Sequence, residues 1–152
     1  MVRNQGVSAE DMIRSVGARV TQPRVGVLTT LLDASRALTH HEVERHVRRS
    51  LHVDRVTVYR VLDWLVAKHL AHRLAGDDRV WRFNASADEH ADEHAHFECN
   101  RCRRVICLED AVAPHRIALP AGYRSQHVEV TVKGLCADCT PPRRLRTMAR
   151  LG

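Results

Sequence analysis

Several signals are missing from this 152-residue chain, and each absence excludes something. The opening "MVRNQGVSAEDMIRSVG" has no apolar core of an export signal. No later run approaches the roughly 20 apolar residues needed to cross a bilayer. A soluble cytoplasmic protein with no membrane partner is expected. There is no internal repeat; the "DEHADEHA" doublet is local bias. There is no HExxH helix, and no H-x-E followed by P-C-x-x-C, the patterns of zinc hydrolases and zinc deaminases. "HADE" and "HAHFEC" fit neither, so neither an enzyme nor a small-molecule substrate is expected. The chain is also too short for two large cores. Two small lobes would need a metal or a partner chain to hold them.

What is present begins with charge. The net +6 is uneven. Residues 1–84 carry 14 Lys/Arg against 9 Asp/Glu, whereas residues 85–140 carry 6 against 9. The tail 141–152, "PPRRLRTMARLG", adds four arginines and no acid. A basic N-terminal part suits a polyanion partner.

The first lobe reads as helices. Ser8 can cap "AEDMIRSVG". Thr21 and Pro23 open "QPRVGVLTTLLDAS", with Val25, Leu28, Leu31 and Leu32 at helical spacing. Thr39 and Glu42 match a capping box before "HEVERHVRR", and Asp54 can cap "RVTVYRVLDWLVAKHL". There Val58, Leu62, Leu65 and Val66 share a face, while Val56 and Arg60 point outward. "AHRLAGDDRVWRFN" then reads as two short strands around a Gly-Asp-Asp turn. Helices followed by such a hairpin make a winged helix-turn-helix. Its fourth helix would enter the major groove, with Arg60 reaching a phosphate or guanine edge and Val56 a thymine methyl.

Residues 85–95, "ASADEHADEHA", lack core periodicity and read as a hinge rich in potential ligands. "HFEC", "RVICL" and "HVEVTVKGLC" read as strands. Between the last two, Pro114 and Pro120 leave room for at most a short helical turn. The expected organisation is a DNA-binding domain over 1–84, a hinge over 85–95, a dimerisation and metal-binding domain over 96–140, and a basic tail over 141–152. The fold class is α+β, with a four-cysteine site in the second domain.

Five cysteines without an export signal, four of them in CxxC pairs, favour metal over disulfides. Cys99, Cys102, Cys136 and Cys139 can close a tetrahedral thiolate site, which suits a structural zinc. It would pin the last strand to the first and supply folding energy. His94, His96 and Cys107 remain. On an extended segment His94 and His96 point to one side and Cys99 to the other. At least two metals are therefore expected. The second has mixed nitrogen and sulfur donors, which suit zinc better than iron or manganese.

With those motifs assembled, the chain is identified as a member of the ferric uptake regulator (Fur) superfamily of metalloregulators. It is most similar to the zinc-responsive, Zur-like branch. The segments that carry the resemblance are "GARVTQPRVGVLTTLL", "LTHHEVERHV", "DRVTVYRVLDWLVAKHL", "HAHFECNRC" and "GLCADC". The resemblance implies a homodimer that represses from palindromic AT-rich double-stranded operators, controlling metal uptake genes, when a sensory metal is bound. It implies DNA contacts from Tyr59 and Arg60 on the recognition helix, from Arg19 in the minor groove and from Arg24 on a phosphate. It implies sensory ligands at His94 and His96, with His72 where zinc-sensing relatives often place a His or Asp. Cys107 stands where iron sensors place a glutamate.

The chain departs from the family pattern in places. Ala37 replaces a histidine that iron sensors often offer. Arg82 replaces a Glu or Cys near the end of the wing, and a cation cannot ligate. The regulatory set is thus His72, His94, His96 and Cys107, with one regulatory and one structural zinc per chain. A third site would need Glu93, His90 or His127. The proline-bearing segment stands where relatives carry a long helix, so the dimer would lean on the sheet. The alternatives are an iron-, manganese- or peroxide-responsive member of the same family, or a protein-binding zinc ribbon.

Overall fold

The protein is described from a computed structural model over residues 7–85, 95–108, 118–126 and 128–141. Helix α1 (Ala9–Ser15) begins where the Ser8 hydroxyl accepts the Asp11 N–H. It stops ahead of Gly17, whose φ of +69° suits a residue without Cβ. Helix α2 (Gln22–Asp33) carries Pro23 in its first turn, where the missing N–H is harmless. Strand β1 (Leu38–Thr39) leads directly into α3 (His40–Val47). There Thr39 and Glu42 satisfy each other's backbone N–H as a capping box. Asp54 accepts the Thr57 N–H at 2.8 Å and starts α4 (Arg55–Ala67).

The helices bury one apolar core around Ile13, Leu28, Leu31, Val43, Leu62 and Leu65. Two positions differ from the periodicity. Leu32 is 40% exposed and Val66 only half-buried, while Val27 and Val61 are inside. The buried stripe of each helix is displaced toward Val27 and Val61 by less than one position, since Leu28, Leu31, Val58, Leu62 and Leu65 stay inside. The core is completed by the wing hairpin, β2 (Ala71–Ala75) and β3 (Trp81–Ala85). The sheet runs β1-β3-β2, antiparallel throughout. Helices followed by this hairpin form the winged helix-turn-helix expected from sequence. Two-residue β1 was illegible there, being too short for a period of two.

The second sheet, ordered β5-β4-β6, holds β4 (Ala95–Cys99), β5 (Val105–Leu108) and β6 (Val130–Gly134). β4 pairs antiparallel with β5 and parallel with β6. A parallel pair needs a long connection. Here it runs through β5 and then 109–129, whose described parts, 118–126 and 128–129, hold neither helix nor strand. Gly134 sits under Phe97, where a Cβ would come within 3.3 Å of the ring. The buried apolar residues described in this lobe are few: Ala95, Cys99 and Val105. Such a core needs reinforcement. One small cluster, Ala37, Leu74 and Val105, joins the two lobes. Most of the expected hinge (86–94), the tail from 142, and His90, Glu93, His94 and His127 lie outside the described residues. Among the described residues no helix is long and apolar enough to cross a membrane.

Candidate metal centres and recognition helix

Cys99 ends β4, and Cys102 lies in the turn that follows. That turn closes through bonds from the Arg103 N–H to the Cys99 carbonyl and from the Cys99 N–H to the Arg104 carbonyl, each 2.9 Å. Cys136 and Cys139 lie in a similar turn after β6, closed by the Cys139 N–H on the Cys136 carbonyl at 3.0 Å. The parallel pairing of β4 and β6 lays the two turns together, and Arg104 and Asp138 pair across them at 2.6 Å. All four sulfurs lie within 4.8 Å of one another, with Cys102 and Cys136 at 3.7 Å. A tetrahedron with Zn–S bonds of about 2.3 Å has edges of about 3.8 Å, so these donors fit zinc.

Electrostatics agrees with that fit. The backbone N–H of Cys102, then that of Cys136, hold the Cys99 thiol down at about 6. The neighbouring sulfurs, Cys136 foremost, push Cys139 up to about 12. One thiol is thus readily ionised while another is held protonated by its neighbours, a crowding of sulfurs that a cation would relieve.

The second cluster lies elsewhere on the same sheet. His96 on β4 and Cys107 on β5 are direct cross-strand partners. His72 comes from β2, in the other lobe. Its ring centroid lies 5.6 Å from that of His96, tilted by 41°. One donor atom from each of His72, His96 and Cys107 lies within 4.8 Å of the others, and both histidines are buried. Two imidazoles and a thiol form a donor set suited to zinc. Alternation along β2 produces the meeting. His72 and Leu74 face the second lobe, whereas Arg73 is exposed on the opposite face. Arg82, on the neighbouring strand, is a structural cation. It grips Asp78 through two bonds of 2.9 and 2.6 Å and also donates to the Val80 carbonyl.

On α4, Val56, Tyr59 and Arg60 share an exposed face. Tyr59 also stacks on His40 of α3, ring centroids 3.3 Å apart. Arg19 is exposed on the loop before α2. Arg24 lies 3.9 Å over the Trp64 ring and donates to the Arg19 carbonyl at 2.7 Å. It ties the loop carrying Arg19 to the flank of α4.

The profile of the ferric uptake regulator family matches residues 15–133, a span containing most of both lobes and five of the seven clustered donors. The chain belongs to the ferric uptake regulator family. Among its relatives, the transcriptional regulator FurA of Mycobacterium tuberculosis is 33% identical over 137 residues, covering 86% of this chain and 88% of that one. Ferric uptake regulation protein 1 of Mycolicibacterium fortuitum is 33% identical over 108 residues, and the match spans 70% of this chain but 65% of that protein's length. A zinc uptake regulator complexed with zinc and DNA has a similar fold, with a TM-score of 0.63 at 25% identity over 86% of this chain and 89% of that one.

Against the family pattern, the structure brings together seven of the eight ligands expected from sequence; the eighth, His94, lies outside the described residues. Sequence reasoning missed the charged contacts between wing and second lobe. The Lys133 amine sits 2.6 Å from an Asp77 carboxylate oxygen, and the Asp77 N–H donates to Glu98 at 3.3 Å. Residues 56 and 21 positions apart leave no local signal.

Proposed function

We propose that this chain is a metal-dependent, zinc-responsive transcriptional repressor that acts as a homodimer on operator DNA. The observation that carries the reading is the cluster of His72 from the wing with His96 and Cys107 from the second sheet. A divalent cation there would supply the charge that binds three donors from two lobes into one rigid unit. His72 would then fix the wing, and with it α4, against the sheet that joins two copies. Arg60, Tyr59 and Val56 would meet the major groove, and Arg19 the flanking minor groove. Each tenfold gain in the population of the competent orientation adds about 1.4 kcal/mol to apparent DNA affinity.

The four cysteines would hold a separate structural zinc. His94 is proposed as a further regulatory ligand on the strength of the family pattern. The relatives named for ferric uptake support an iron-responsive alternative. The Cys107 thiol and the engaged Arg82 cation favour zinc, since neither adds an oxygen donor for iron.

The test is fluorescence anisotropy of a duplex from the chain's own promoter region, titrated with zinc, iron(II) or manganese(II). The expected result is tight binding with zinc, lost in His72→Ala at low zinc and lost in Arg60→Ala at any zinc. Binding that ignores metal, or that iron restores and zinc does not, would overturn the zinc reading.

A further inference from the structure

The two lobes touch at a place no metal donor occupies. At the tip of the wing, between β2 and β3, the Asp77 carboxylate receives the Lys133 amine of β6. Asp77 also lies 4.0 Å from the Arg103 guanidinium, and its backbone N–H donates to Glu98 of β4. Glu98 is 3% exposed, and its remaining partner is Arg103 at 3.2 Å. A buried carboxylate without partners would be expensive, so Glu98 requires both. Arg103 has a φ of +61° in the turn between Cys99 and Arg104. A side chain other than glycine is disfavoured there. Arg103 is held in that geometry by the turn, and its guanidinium lies between two carboxylates. Beside this group, the Ala37 N–H donates to the Val105 carbonyl at 2.9 Å within the Ala37–Leu74–Val105 cluster.

We propose that Asp77 is a positioning residue. With Lys133, Glu98 and Arg103 it forms a latch, independent of the regulatory metal, that seats the wing on the second sheet and presets His72 against His96 and Cys107. This rests on the reading of that trio as the regulatory metal site. A single exposed ion pair would do little, but three charged groups gathered around one buried carboxylate act as a network. The latch lies on the β2–β3 turn, so freeing it lets His72 leave its partners. Metal affinity is reduced by the fraction of molecules whose donors are not assembled.

The experiment uses the full chain with its four-cysteine site loaded. Asp77→Asn and Lys133→Met remove the pair without adding bulk, and Lys133 is an exposed strand residue whose loss spares the core. Hydrogen exchange of the residue-77 amide, before the second zinc is added, reads the latch directly. Both variants should exchange about tenfold faster than the parent there. Chelator competition with zinc then reads the trio. Each variant should bind its second zinc about three- to tenfold more weakly, the double variant no more weakly than the worse single one, and the four-cysteine zinc should be retained. Unchanged exchange at residue 77, or additive losses of affinity in the double variant, would overturn the latch. If the parent itself takes up no second zinc, the reading of the trio fails while the exchange data still decide the latch.

Discussion

In the proposed regulatory site, metal choice would turn on Cys107. It stands outside both CxxC turns, opposite His96 across a strand pair. Cys107→Ser should leave the four-cysteine zinc in place and weaken the second site by more than about tenfold, because a neutral hydroxyl is a poor zinc donor. Cys107→Glu should move preference from zinc toward iron or manganese. Chelator competition run beside thermal melts checks this. Lower melting with unaltered zinc affinity would make Cys107 a packing residue. His40 makes a second residue-scale case. It is buried beneath Tyr59, and burial lowers its proton affinity. Glu44 opposes that effect, while Arg55 and His41 add to it. The folded state therefore prefers the neutral ring. Its contribution to stability is complete above the ordinary value of 6.5 and is lost as pH falls below it. His40→Leu should flatten the decline of urea midpoints between about pH 7.5 and about pH 5.5. Parallel curves for parent and variant would remove His40 from the account.

The elements were the most legible part of the chain. Ser8, the Thr39–Glu42 pair and Asp54 each start the helix that their sequence context predicts, because a cap is a short-range contact. The CxxC pairs were legible for the same reason: each turn is local, and only their meeting is long-range. The His72 contact could be reached only through family resemblance, since β2 has no periodic feature aimed at β4. The charged contacts around Asp77 could not be reached at all. The capping box of α3 gives the prediction at this scale. Burial works to raise the Glu42 carboxyl, but Arg36 at 2.6 Å and the Thr39 N–H and hydroxyl bring it down to about 2. A lowered carboxyl contributes stability above its ordinary 4.5, lost as pH falls from there toward 2. Thr39→Ala should lower stability by about 1 kcal/mol at neutral pH. Thermal melts that do not move would show that α3 is held by packing alone.

For the whole molecule, the contrast between the lobes decides what fails first. The helical lobe has a core of fully buried Leu, Ile and Val side chains, whereas the described second lobe has little apolar interior. Cys99→Ser should therefore strip the structural metal, dissolve the β4–β6 pairing and abolish the dimer, while the helical lobe keeps its far-ultraviolet signal. Zinc content and sedimentation velocity measure this; a dimer that retained two zincs per chain would refute it. The alternation along β2 has a separate consequence for how the molecule can change. His72 and Arg73 face opposite ways because a strand repeats every two residues. One residue inserted in β2 just before His72 would exchange the roles of the two faces, turning an imidazole to solvent and a guanidinium into the place Leu74 holds beside Ala37 and Val105. Two inserted residues would restore the facing of each side chain, but would carry His72 about 7 Å along the strand. Mutational drift in this hairpin is thus confined twice, by parity, which sets the facing of His72, and by length, which sets its place opposite His96 and Cys107.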